Sequence, residues 1–402
     1  MTNDKVLRAL LGALWLAVIG PAGLLAQESA DKPFFNAREQ QRSFAGPGRD
    51  SAEPEYLTEI RIGYFGPNDP SHSLAGDMWR AARLAIHEAN ANGGYQKRPF
   101  RLVPAWSHDP WGTGIKQLTR LVYADNVWAI VGGIDGPSTH LAEQVVAKAR
   151  LALVSPVSTD KSVNLAHVPW MFSLAPPDNL QAPMLADEIA QRVGKGRFVV
   201  LSADDHDSHC FARELDKALS DRGMSARFHY EFHHGNPDTK SLVHRVAQAN
   251  AASIILAADV DDSARLVVAL RHHAFPGPVF GRPVMAHRRF ALQAGLAAEG
   301  VVFPMLYQVP DPLDEFARKF AATYGHAPDY SAPHAYDAVR LVVAAIRTSG
   351  LNRAKLRDAL VELSPWQGAS GTVRWDGLGS NTRHVTLGTI LQGRVIPLQP
   401  SS

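Results

Sequence analysis

From residue 58 onward, short β-type runs alternate with longer helical ones, and that alternation restricts the chain to one fold class. Residues 60–65 (IRIGYF) read as a strand. Across 76–92, Met78, Ala81, Ala82, Ala85 and Ala89 fall on one helical face, and Gly93 with Gly94 stops the run. Strand patterns follow at 100–105, 127–131, 151–155 and 169–174, with helical segments at 115–123 and 141–149 between them. Pro176 and Pro177 punctuate the chain, and Asp178 with Gln181 has the spacing of a helix N-cap and its reciprocal partner. A second series begins there. Its strands lie at 198–201, 226–232, 253–257, 279–280 and 301–303, and its helices at 180–192, 210–222, 240–249, 263–272 and 289–297. Such βαβα order builds a mostly parallel sheet with helices over both faces. The expected architecture is α/β, with two doubly wound parallel-sheet lobes. Helices at 333–348 and 353–363 follow, and the end is β-like at 372–375 and 385–391.

The rest of the composition narrows the function classes. With 46% hydrophobic and 20% charged residues the chain can bury a sizeable core. The 41 basic residues nearly balance the 39 acidic ones, which argues against a nucleic-acid partner. Cys210 is the only cysteine, so an intrachain disulfide and a zinc site built on paired cysteines are both excluded. Residues 1–26 combine a basic start (Lys5, Arg8), an apolar run over 10–25 and Ala26. That is the three-part pattern of a secretory signal peptide cut after Ala26. The run is about 16 residues with Pro21 inside it, short for a membrane-spanning helix. The expected location is the periplasm. Residues 27–57 are polar and rich in Pro and Gly, and read as a linker or N-terminal arm.

In open parallel sheets, ligands sit beyond the carboxyl ends of the strands, where loops enter helices. The loops to inspect are 66–72, 106–112, 134–139 and 156–161 in the first half, and 203–209, 259–262 and 281–287 in the second. None carries a catalytic signature. His87-Glu88 lacks the second His of a zincin helix, and neither Gly-x-Ser-x-Gly nor a phosphate-binding Gly-rich loop occurs. The chain reads as a non-enzyme with no cofactor. His229, Glu231 and His233 alternate along one strand, and His206 and His209 flank Asp207. The strand spacing suits a metal or a solvated edge alike, the pair around Asp207 suits a cationic or metal-assisted ligand pocket or a pH-tuned affinity, and no metal site is assigned.

Six segments recur in order across 58–395: IRIGYFGP, AIHEANANGG, AIVGGIDGPST, LALVSPVST, HAYDAVRLVVAAI and GTVRWDGLG. In these the chain resembles the type I periplasmic binding proteins of the leucine/isoleucine/valine group, the substrate-binding subunits of ABC importers. The resemblance implies two lobes joined by a three-strand hinge, with crossings near 174–177, 304–308 and 363–367. The first lobe would be 58–175 plus 305–363, and the second 176–304 plus 364–402. It also implies a ligand carboxylate gripped by two loops, one of Asp135, Gly136, Pro137 and Ser138, the other of Val157, Ser158 and Thr159. Ser138 and Thr159 are equally suited to capping their own helices.

Departures from the family pattern fall in the second lobe. Asp207 followed by Ser208 stands where a Tyr-Gly pair often occurs. The family's acidic contact for an amino group is expected where this chain reads Gly281-Arg282-Pro283. Asp207 or Asp259 is left to take an ammonium, unless each only caps a helix. Trp106 and Trp111 bracket a strand-end loop, and Trp79 lies near the same mouth. These rings would either stack on a ligand or pack within the lobe. The reading is a monomeric receptor that captures a small polar ligand (an amino acid or related carboxylate or amide) and delivers it to an ABC permease. The alternative is the same fold sensing a ligand for a signalling partner.

Overall fold

A computed structural model describes residues 44–194, 196–307 and 314–399. The first sheet is built from β1 (Ile60–Phe65), β2 (Phe100–Ala105), β3 (Ala129–Gly132), β4 (Ala152–Ser155) and β5 (Met171–Ser173). Its order is β2-β1-β3-β4-β5 and every pairing is parallel. β3 and β4 are buried along their whole length. Their unbroken apolar runs are therefore what a strand covered on both faces requires. The covering helices are α1 (Gly76–Ala91), α2 (Ile115–Tyr123) and α3 (Gly136–Ala149), with the short α4 (Ser162–Leu165) after β4.

The second sheet repeats the design. α5 (Asp178–Val193) leads to β6 (Phe198–Ala203), followed by α6 (His206–Ser220), β7 (Phe228–Phe232), α7 (Thr239–Gln248), β8 (Ser253–Ala257), α8 (Val260–His272), β9 (Val279–Gly281), α9 (Arg288–Ala294) and β10 (Val302–Met305). Strands β10, β9, β8, β6 and β7 run parallel in that order. Two late strands, β13 (Thr386–Leu391) and β14 (Arg394–Pro397), extend the β10 edge antiparallel. The α/β class and the two doubly wound sheets agree with the sequence reading.

Between β10 and β13 the chain returns to the first sheet. α10 (Glu315–Tyr324), α11 (Ser331–Ser349) and α12 (Arg353–Glu362) pack there. α11 is buried on nearly every side, which explains its small and β-branched residues. Leu174 belongs to the first core and Ala175 to the second, so the chain first changes sheets between them. Its last change of sheet comes well after helix α12. The hairpin of β11 (Trp366–Gly368) and β12 (Gly371–Val373) stays with the first lobe, as do Val373 and Trp375. Buried Asp337 accepts hydrogen bonds from the backbone N–H of Ala369 (2.9 Å) and Ser370 (2.7 Å). Trp375 packs on Phe172 at 4.8 Å, and the Asn381 amide donates to Leu174 O at 2.6 Å. The chain passes to the second sheet after Asn381, so the expected crossing at 363–367 and the expected lobe boundary at 364 lie too early.

The reading of 27–57 as a polar arm also needs correction over its described part. Phe44 is buried edge-on against Trp170 at 4.9 Å, and its backbone N–H donates to the Asp358 carboxylate at 2.9 Å. The Asn352 amide donates to the carbonyls of Gly48, Arg49 and Ser51. One buried ring and a few satisfied carbonyls dock a segment whose average composition is polar. Residues 1–43, with the signal-peptide reading, lie outside the described residues.

Candidate ligand site

A cavity of about 290 Å³ lies between the carboxyl ends of the two sheets. That is near the lower end of small-ligand pockets, about 300–1,000 Å³. A larger cavity of about 590 Å³ runs along α1, α10 and α11 and takes nothing from the second sheet. Position at the strand ends, rather than size, selects the smaller one. Its first-lobe wall is mostly apolar: Leu74, Met78, Ile134, Pro137 and Val157. The second-lobe wall is charged. Altogether four carboxylates (Asp135, Asp205, Asp207, Asp259), one guanidinium (Arg282) and three imidazoles (His206, His234, His287) line the space.

Local capping chemistry sets most of these side chains in place. Asp135 caps α3, accepting from Ser138 N at 2.8 Å, and the Ser138 hydroxyl donates back to Asp135 Oδ1. Asp205, not Asp207, caps α6 and accepts from Ser208 N at 3.0 Å. Asp259 caps α8, accepting from Asp262 N at 2.7 Å. These groups quench the positive ends of their own helices.

Asp207, in the first turn of α6, is free of that duty and crosses the cleft. Its carboxylate accepts from Gly136 N, 3.1 Å to Oδ1 and 3.3 Å to Oδ2. A Cβ on Gly136 would stand 2.4 Å from Asp207 Oδ1 and 2.9 Å from His206 Cδ2, so this approach requires glycine. Burial pushes the Asp207 carboxyl up to about 6, against the opposing pull of Arg282. Arg282 follows β9 and is 5% exposed; its Nη2 stands 3.8 Å from Asp207 Oδ2 and its Nη1 donates to Ser208 Oγ at 3.4 Å. Burial disfavours its charge, yet Asp207, Asp178 and Asp205 together hold its pKa above the ordinary value. The buried Nε has no partner among the described residues. His287 pairs with Asp329 at 3.0 Å across the same junction.

Of the residues expected from sequence, Asp135, Val157, Asp207 and Asp259 line the cavity, and Gly136 touches it through Asp207. Ser138 is buried and committed to its capping box. Ser158 stands next to Val157, and its buried hydroxyl has no partner among the described residues. Thr159 lies against Asp178, its main-chain carbonyl accepting from Asp178 N at 2.8 Å. The two Trp residues take their packing alternative. Trp79 tilts onto Tyr64 at 5.1 Å and Trp106 onto Phe65 at 5.2 Å, and neither lines the cavity. Both lie beside the first sheet, where covering a bare aromatic face outweighs reaching the cleft. The Trp111 side chain lies outside the described residues. His229, Glu231 and His233 do not converge, because they face Asp216, His209 and Asp204 respectively. Sequence reasoning raised His206 only as one of two histidines flanking Asp207, and left out Asp205, Arg282, His287 and Tyr330 as binding residues. The flagged loops 203–209 and 281–287 carried the signal for all of these but Tyr330.

Asp178 gives a pH prediction. Burial raises its carboxyl to about 8. The native state thus keeps a proton that the unfolded chain releases above about pH 4. Stability contributed by this site is full below that pH and falls as pH rises toward 8. Asp178→Asn is expected to flatten the decline in melting temperature between pH 4 and pH 8. An unchanged slope in that window contradicts the assignment.

The family model described as periplasmic binding protein matches residues 59–393. The chain belongs to the periplasmic binding protein family. An amino acid binding protein of Pseudomonas aeruginosa is 24% identical over 335 residues, covering 80% of this chain and 87% of that one. An ABC transporter substrate-binding protein from Desulfitobacterium hafniense in complex with Leu superposes with TM-score 0.73 at 25% identity, over 85% of this chain and 100% of that chain. A leucine binding protein from Thermotoga maritima shares the fold, with TM-score 0.77 at 18% identity, over 85% of this chain and 98% of that chain. Members of this family are solute-binding proteins rather than enzymes, and their place is the periplasm or the cell exterior.

Proposed function

We propose that this periplasmic binding protein captures a small zwitterion of the amino-acid class between its lobes and hands it to the permease of an ABC importer. The observation that carries this reading is the division of the cavity into an apolar first-lobe wall and a charged second-lobe wall. An amino acid offers a carboxylate, an ammonium and a side chain to such a space. The anion partners are the Gly136 N–H at the start of α3, the Ser158 hydroxyl and the Arg282 guanidinium. The cation partners are Asp207 and Asp259. Leu74, Met78, Ile134 and Val157 receive the side chain.

Asp207 gives the binding step a definite form. Its carboxylate occupies the amide of Gly136, the group that the family resemblance assigns to the ligand's carboxylate. A ligand takes that N–H from Asp207, and the released Asp207 turns to the ligand's ammonium. One contact bridging the lobes is replaced by two through the ligand, which biases the closed form. A thermal-shift screen of the common amino acids is expected to raise the melting temperature with at least one of them. A screen in which small carboxylates lacking an amino group stabilise the fold and no amino acid does would overturn the zwitterion reading.

Export through a leader removed after Ala26 belongs to the same proposal. Intact-mass measurement of protein from the cell envelope is expected to show loss of residues 1–26. A full-length mass there would contradict cleavage.

A further inference from the structure

Beside the cavity a second cluster joins the two lobes. His140 comes from α3 and Asp160 from the loop after β4; His206 is the first residue of α6. Their donor atoms all lie within 4.8 Å of one another. His140 Nε2 is 3.0 Å and His206 Nε2 is 2.7 Å from the same oxygen, Asp160 Oδ2. The other carboxylate oxygen is already engaged, accepting from Ser162 N at 2.8 Å and Ser162 Oγ at 2.7 Å. Asp160 is 4% exposed, and His206, with its side chain 42% exposed, leaves a path from solvent.

We infer that His140, Asp160 and His206 form a binding site for a divalent transition metal, zinc above all, that ties the two lobes together. Two imidazole nitrogens and one carboxylate oxygen from three separate elements are a zinc-type donor set with one position open. The surroundings are those of a ligand set held in place. Glu143 Oε2 lies 3.2 Å from His140 Nδ1, the outer carboxylate that fixes a ligating imidazole and its tautomer. Donors about 2.1 Å from a tetrahedral metal stand roughly 3.4 Å apart. The spacings of 2.7 and 3.0 Å therefore need to open by under about 1 Å, which rotation of the half-exposed His206 supplies. Cys210 Sγ, one turn along α6, stands 3.6 Å from His206 Nε2 and borders the site. A second group, His234, Asp259 and Asp262, belongs to the second lobe alone and cannot join the lobes.

The inference stands apart from the amino-acid reading, and its test uses the metal alone. Chelator-stripped mature protein is titrated with zinc chloride by calorimetry, with no amino acid present. The expected result is one ion per chain at this site. His140→Gln and His206→Gln, one from each lobe, are each expected to weaken it about 100-fold or more, and Glu143→Gln about 10- to 100-fold. Tetrahedral cobalt absorption is expected in the wild type and absent in both His variants. Thermal melting checks that each variant is folded, and the exposure of His206 makes its variant the safer one. Absence of stoichiometric zinc overturns the inference. So does zinc binding of wild-type strength in His206→Gln, which would place the ion elsewhere, as on His234, Asp259 and Asp262.

Discussion

Arg282→Met is expected to destabilise the protein by about 3–5 kcal/mol, the cost of leaving buried acidic groups without their cation. The guanidinium is 5% exposed and faces Asp207, with Asp205 close enough to help raise its pKa despite burial. Methionine keeps an unbranched apolar stem but lacks the guanidinium, so the loss combines the missing charge with the space that the fork filled. The acidic neighbours would be forced to take up protons or to draw water into the cleft. Urea unfolding is the measurement, with a lower midpoint and an unchanged slope expected. A loss below about 1 kcal/mol would mean that the acids around Arg282 are already neutral or solvated. Arg282→Lys keeps the charge and should recover part of the stability, though not the forked geometry.

Ser158→Ala is expected to act on affinity alone. Its hydroxyl is buried without a partner among the described residues, so the free protein loses no hydrogen bond with it. A hydroxyl that bonds a charged oxygen contributes roughly 1.5–3 kcal/mol, or about 10- to 150-fold in affinity. The neighbouring Thr159→Val should behave in the opposite sense. Thr159 is buried against Asp178 within the protein, so its loss is read in the melting temperature and not in affinity. Equal affinity in wild type and Ser158→Ala would remove Ser158 from the site.

Much of the fold was legible because parallel strands covered on both faces are mainly apolar, and β3, β4 and β8, buried along their length, carry at most one serine each at an end. The late crossing was not, because nothing in 364–381 looks like core until Trp375 meets Phe172 and Asp337 meets the hairpin amides. Those contacts join residues far apart in sequence, which periodicity does not register. The same limit explains the docked segment around Phe44. Within the site, the loops were readable from strand ends, Asp135 from the family resemblance, and Asp259 as either an ammonium partner or a helix cap. Arg282 stood out in the sequence only as a break in the family pattern. Its importance comes from Asp207, Asp205 and Asp178 converging on it from other elements. The partnership of Asp207 with Gly136 is likewise a property of the assembled lobes. In this structure the carboxylate is engaged by a backbone amide of the opposite lobe.

The central claim is that the cavity between the lobes holds an amino acid through groups from both of them. Calorimetric titration of the mature protein with the amino acid that best raises its melting temperature tests it most directly, run in parallel on Ser158→Ala and Asp207→Asn. The account predicts saturable binding of one ligand per chain, weakened at least about 10-fold by either variant, one from each lobe. Binding that is unchanged in both folded variants, or no binding of any amino acid by the wild type, would contradict it.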